Sequence, residues 1–365
     1  MESHDGPDSF GIRVLVSLRD VISTAIMLTA DRQQPMRQVT PPVQYVQNLE
    51  RSLAGDLGIS VEGTNASVPG DDPFHSLSSN QLTLLPVDRY GSDRYIELFH
   101  TGINDLTWKI AADKPYVTFS KSTGNLAPDD EDIRVTIKID WTKAPVGSST
   151  ALINITSSTG YGAQFSMPTL SLPINNTAVP STFKSGFVES DLTISIEAEH
   201  YSRVASNSSS ASYVVIPDFG KTLSAVTLFP ATAPSQSTTS GPALEYDFYT
   251  FTSAAASRPA NITLILGTGL NANPTRPLQY AIAIDDQAPK TVKYIIDQTG
   301  GNLPIGWGNA VADAAWKSTT SATFGAGAHK LKIWALEPGV VIQKIVIDLG
   351  GVRASYLGPP ESKKL

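Results

Sequence analysis

The chain has no cysteine in 365 residues. That excludes disulfides and thiolate metal sites, although a large β-domain needs no such staple. Histidine is scarce as well, with five residues and none at the local spacing of a metal site. Charge is thin: 17% of residues are ionisable, the net charge is −7, and no basic run occurs. A nucleic-acid-binding surface is therefore not expected. Long apolar runs are missing too. VISTAIMLTA, residues 21–30, follows Arg19 and Asp20 and is about half the length of a membrane span. The opening MESHDGPDSFG is acidic where a secretory leader is basic. Neither a signal peptide nor a transmembrane helix is expected, and the compartment stays unassigned from these residues. The chain also lacks GxSxG, HExxH, a Walker loop and CxxC, so the chemistries tied to those motifs have no anchor.

Glycine, with 27 residues, and proline, with 25, are frequent, and apolar residues make up 41%. That mixture suits many short strands joined by turns around packed cores. Residues 13–31 have a helical pattern. QQPMRQVTPPVQ interrupts it, and Val43, Val46, Leu49, Leu53 and Leu57 then predict an amphipathic helix over 43–59, stopped by Gly58. The loop that follows holds Glu62, Asp71, Asp72 and His75, either a site rim or a capped turn, with the turn preferred. From residue 87 the period becomes two: in RVTIKID, Val135, Ile137 and Ile139 alternate with Thr136, Lys138 and Asp140. The expected organisation is mainly β. A short helical remnant and loop (1–86) precede an immunoglobulin-like β-sandwich (87–178), a linker, and a larger jelly-roll β-sandwich (189–362). Apart from ADAAW, no helix is expected in the last part. Asn-x-Ser/Thr triplets at Asn65, Asn154, Asn175, Asn207 and Asn261 suit a secreted history but arise often by chance.

Three groups of residues can carry chemistry. ISIEAEHYSR, 194–203, alternates like a strand, so Ser195, Glu197 and Glu199 share one face. The two glutamates are open to three readings: a catalytic carboxylate pair, part of a calcium site built from oxygens, or the wet side of a strand. The second group is aromatic. Trp307 stands between glycines in a loop, Trp316 ends ADAAW, Trp334 lies in an alternating apolar strand that suits the core, and Tyr246 and Tyr249 sit in LEYDFY. Loop aromatics with Asn309 beside them form a platform for a sugar ring, or else pack. The third is Arg276, held between prolines in NPTRPL. It is placed either to meet a carboxylate ligand or to be an ordinary exposed arginine.

The strings EYDFYTF, NPTRPL, YAIAIDD, GWGNAVADAAW, WALEPGVV and IDLGG…SYLGPPES resemble the C-terminal domain of glycoside hydrolase family 115. QQPMRQVTPPVQYVQ and RYIELF…TWKIAADKPYVTFSKSTGNL are similar to fungal members, so the resemblance spans roughly 33–362. It implies a relative of xylan α-glucuronidases, which remove glucuronic or 4-O-methylglucuronic acid branches by inverting hydrolysis. The catalytic carboxylates of that family lie in N-terminal α/β and barrel domains with no counterpart here, so no catalytic residue is carried over. The expectation is a noncatalytic accessory region that stabilises or targets a glucuronoxylan-degrading hydrolase. It would bind carbohydrate through Trp307, Asn309 and Trp316, with Arg276 facing the uronate. Hydrolase activity with supplied catalytic domains, and a dimer interface, are the alternatives. Neither nucleic acid nor membrane is an expected partner. EAEHY and Asp348 also resemble carbohydrate-binding modules of families 6 and 35, which implies a structural calcium held by Glu197, Glu199 and Asp348.

Overall fold

The computed structural model describes residues 56–63, 67–68, 82–159, 167, 169–205, 210–296 and 302–365. The helix expected over 13–31, most of that over 43–59, and Asp71, Asp72 and His75 lie outside them. Where 43–59 enters the described residues, helix gives way to strand: Leu57–Val61 is β1, with Leu57 and Ile59 fully buried. Its neighbours decide this, because β1 pairs residue for residue with Arg94–His100 and buries alternate side chains there. Tertiary pairing overrides the local helical spacing.

The described chain divides into two compact units: one ends at Asn176, and the other takes Thr177–Leu365 together with Asp88–Gly91. The first is a sandwich of two five-stranded sheets. One runs β2 (Ser67–Val68), β1, β4 (Arg94–His100), β8 (Ile133–Ile139), β6 (Val117–Phe119). The other runs β3 (Val87–Asp88), β10 (Leu170–Asn176), β9 (Gly147–Ser157), β5 (Leu106–Ala112), β7 (Thr123–Leu126). Strict alternation builds its core. Leu106, Trp108 and Ile110 of β5 point inward with Val135 and Ile137 of β8, while Thr107, Lys109 and Lys138 face out.

The second unit is a sandwich of two six-stranded sheets. The first runs β11 (Phe187–Val188), β16 (Ala243–Thr250), β21 (Gly327–Ala335), β18 (Gln279–Ile284), β19 (Lys290–Lys293), with β13 (Arg203–Ala205) on β16. The second runs β14 (Ser212–Ile216), β15 (Ala225–Phe229), β22 (Ile342–Asp348), β17 (Ala260–Gly267), β20 (Ala315–Ala322), with β12 (Thr193–Glu197) on β22. Tyr246, Phe248, Leu331 and Ile333 from one sheet meet Ile194, Ile196, Leu264, Ile345 and Ile347 from the other. A bulge opposite Ile265 and Leu266 lets both Ile342 and Ile345 face this core despite their odd spacing. Trp334 is buried elsewhere, in a small second cluster with Ala243, Ala281, Ala283 and Leu336. The α-helix seen among the described residues is α1 (Trp307–Ala312). It precedes most of ADAAW, and Trp316 of that string belongs to β20 instead.

Candidate functional site

Gly306 adopts a left-handed φ of 82°, which lets the chain turn abruptly into α1. Ala310 is buried and anchors the helix, so Trp307 is half-buried against the core of the second unit. Its ring centroid lies 6.0 Å from that of Trp316, tilted by 46°. Trp316 is 8% exposed and donates its indole N–H to the Gly269 carbonyl at 3.0 Å. Trp316 is therefore the fixed wall and Trp307 the accessible ring. Asn309 is exposed on the same helix, and Leu303, Ile305 (71% exposed) and Val311 are exposed apolar side chains of the same stretch of chain. At the foot of α1, the Lys317 ammonium, 2.7 Å away, holds the Asp313 carboxyl below its ordinary range.

Arg276 does not join this group as a free cation. Its guanidinium binds buried Glu337 through two nitrogens, at 2.7 and 2.9 Å, and also donates to Ser235 Oγ and the Ala233 carbonyl. Ser235 in turn donates to Glu337 at 2.6 Å. The carboxylate that Arg276 meets is internal.

Glu197, Glu199 and Asp348 are not brought together either. The antiparallel register sets Glu197 opposite Lys344 and Asp348 opposite Thr193, four residues away and so about 13 Å along the sheet. Glu197 is 5% exposed, and its Oε1 accepts from Thr222 Oγ at 2.6 Å and from Lys344 Nζ at 3.1 Å. Lys344 is 1% exposed. Asp348 Oδ1 caps the turn after β22, accepting from the amides of Gly350, Gly351 and Val352. Glu199, in the 3-10 turn Ala198–His200, accepts from the Ser224 amide at 3.4 Å. Glu197 Oε2 is buried without a hydrogen-bond partner. One spare oxygen beside an ammonium is not a calcium site, which needs about six to eight oxygens. These residues do not fit the ion, and among the described residues no group of three or more acidic or histidine side chains does. Nor is this face wet. Ser195 Oγ donates to the Pro359 carbonyl, and the amides of Ser195 and Glu197 donate to Ser362 and Glu361, so the C-terminal segment covers it.

A second concavity lies on the outer face of the first sheet of this unit. It measures about 730 Å³, with Phe183, Lys184, Asp247, Tyr249, Asp285 and Lys330 among its walls. The alternation in LEYDFY sorts the tyrosines. Tyr246 turns inward, where its hydroxyl donates to the Ala198 carbonyl at 2.7 Å and burial pushes the phenol well up; Tyr249 turns outward to the cleft. The Asp–Tyr spacing on the outer face was the signal available in the sequence. The distant partners from 183, 285 and 330 had none.

Residues 186–361 match the family model of the glycosyl hydrolase family 115 C-terminal domain. This match takes in a little under half of the chain, both tryptophans of the α1 site and the strands that carry the cleft. Among solved structures, the chain is similar to a family GH115 4-O-methyl-α-glucuronidase with specificity for decorated arabinogalactans. The identity is 15%, over 47% of this chain and 19% of that one, with a TM-score of 0.32. The chain thus spans about a fifth of that protein's length. It is also similar to the C-terminal CBM6 of a laminarinase from Zobellia galactanivorans, at 13% identity over 43% of this chain and 98% of the module, with a TM-score of 0.28. A family 35 carbohydrate-binding module from Clostridium thermocellum is 13% identical over 42% and 97%, with a TM-score of 0.26. No curated protein matches the chain by sequence.

Proposed function

We propose that the second unit is a noncatalytic accessory domain of a glucuronoxylan-degrading hydrolase, holding polysaccharide near a catalytic centre carried elsewhere. The observation that carries this reading is the match of residues 186–361 to the family 115 C-terminal domain. It is supported by the α1 platform, where a half-buried Trp307 is backed by the immobile Trp316 and flanked by the exposed Asn309. An indole presented this way stacks on the apolar face of a pyranose while an amide meets its hydroxyls. Arg276 takes no part, because Glu337 already satisfies it. Recognition at α1 is therefore by stacking rather than by pairing with the uronate. Affinity electrophoresis in a gel containing glucuronoxylan tests the reading. The wild-type chain is retarded relative to a blank gel, and Trp307→Ala restores most of the mobility. Unretarded migration of the wild type would overturn it.

A further inference from the structure

The outer-face cleft is chemically different from the α1 platform. Its floor is the pair of strands β16 and β21, in which Asp247 stands opposite Lys330 and Tyr249 opposite Ala328. Directly opposed residues are the nearest neighbours across a sheet, so the methyl group of Ala328 leaves one flank of the tyrosine ring without a bulky neighbour. The ring is nonetheless held in place. Phe183 packs on it at 5.4 Å and 60°, and Phe251 at 5.2 Å and 64°, both tilted contacts of the kind that fix an aromatic. A rigid, half-exposed tyrosine beside a gap is a stacking surface.

The polar walls are of mixed sign. Buried Glu245 stands two residues from Asp247 on the same face of β16. Burial alone would raise its carboxyl, but Arg203 and Lys330 outweigh that and hold it below the usual range. Lys330 Nζ is 3.1 Å from Glu245 and 3.9 Å from Asp247, so its first commitment is to the buried acid. Among the described residues, Asp247 is left with that loose approach and accepts no hydrogen bond through its side chain. Across the cleft, Asp285 accepts from the Lys330 amide at 2.8 Å through one oxygen and from His329 Nδ1 at 2.9 Å through the other. Asp285 is thereby oriented, and each carboxylate oxygen keeps a second lone pair. Lys184 supplies another ammonium at the rim.

Two carboxylates and two ammonium groups around one tyrosine offer no net charge to a small ion. An anion meets Asp247 and Asp285, and a cation meets Lys184 and Lys330. A neutral polyol suits every wall: carboxylates accept from vicinal hydroxyls, ammonium groups donate to ring and hydroxyl oxygens, and the ring face stacks on C–H groups. The depression is wide and open, which suits one residue of a longer chain better than an enclosed small molecule. We propose that this cleft is a second binding site, for a neutral pyranose residue of an oligosaccharide, with Tyr249 as the stacking surface and Asp247 and Asp285 as hydroxyl acceptors. The proposal rests on the carbohydrate-binding reading of the domain and adds a second site on a different face.

Calorimetric or NMR titration of the full chain with xylohexaose, galactohexaose and glucuronic acid tests it. At least one neutral hexasaccharide binds the wild type. In the Trp307→Ala background, which removes the α1 stacking ring, Tyr249→Ala and Asp247→Ala each weaken that binding at least tenfold and Tyr249→Phe keeps it within about threefold (0.7 kcal/mol or less). Unaltered melting of Tyr249→Phe and Asp247→Ala confirms that the variants are folded. Three outcomes overturn the proposal: no neutral saccharide binds at millimolar concentration, only glucuronic acid binds, or the Tyr249 and Asp247 variants bind as their Trp307→Ala parent does. Retention in the glucuronoxylan gel alongside any of these results removes the cleft and leaves the α1 reading standing.

Discussion

Lys344 carries a charge into the buried wall of the second unit. It is a lysine in the middle of the last strand, fully enclosed, with its ammonium between Glu197 and Thr222. Removing one partner from such a pair strands the other charge in the interior, at a cost of about 3–5 kcal/mol. Lys344→Met is therefore expected to lower the unfolding free energy by that amount, measured by chemical denaturation. The double variant Lys344→Met/Glu197→Leu should recover most of the loss, because no charge is then left without a partner. A single variant as stable as the wild type would show that the pair contributes nothing. Little of this was legible in ISIEAE. Alternation correctly put Glu197 on the face away from Ile194 and Ile196, but no local signal says that residues 359–362 return to cover that face, or that the opposing residue is a lysine. The same limit applies to Arg276. Its stiff Pro–Thr–Arg–Pro setting is visible in sequence, and its partner Glu337, sixty-one positions away, is not.

At the scale of elements, period two was the reliable guide. RVTIKID, LEYDFY and QKIVIDLG all became strands with the faces their patterns assign, because each packs one side on a sandwich core. Helical signals fared differently. Of the spacing from Val43 to Leu57 only Leu57 is among the described residues, and there a strand partner prevails; the weak alanine cluster of ADAAW splits between the end of α1 and the start of β20. Short elements have too few residues for periodicity to outweigh pairing. The corner after β22 has the tightest local requirement. A Cβ on Gly351 would lie 1.6 Å from the Asp191 carbonyl oxygen, and backbone cannot step aside as a side chain can. Gly351→Ala is expected to destabilise the second unit by roughly 1–3 kcal/mol, the usual cost of forcing extra volume into a packed site. A shift in melting midpoint checks it, and an unshifted midpoint would mean that the Asp191 turn moves freely.

For the molecule as a whole, the acids that a calcium ion would join are spread along a strand pair, and one already has an ammonium beside it. An ion present at about a thousand times its dissociation constant would stabilise the fold by about 4 kcal/mol. That is enough to move a melting curve by several degrees. The expected result is no such movement: the thermal midpoint of the second unit is the same in chelator and in millimolar calcium. A rise on adding calcium would mean that the ion finds ligands other than Glu197, Glu199 and Asp348.

The tail that closes over β12 has a mechanical consequence. Leu365 and Gly186 exchange backbone hydrogen bonds, at 2.9 and 3.4 Å, and the Val188 amide donates to the Lys363 carbonyl. The strand that enters this domain and the segment that leaves it are thus zipped to each other. A pull along the polypeptide meets those few amides first, and the hydrophobic interior carries none of the load until they part.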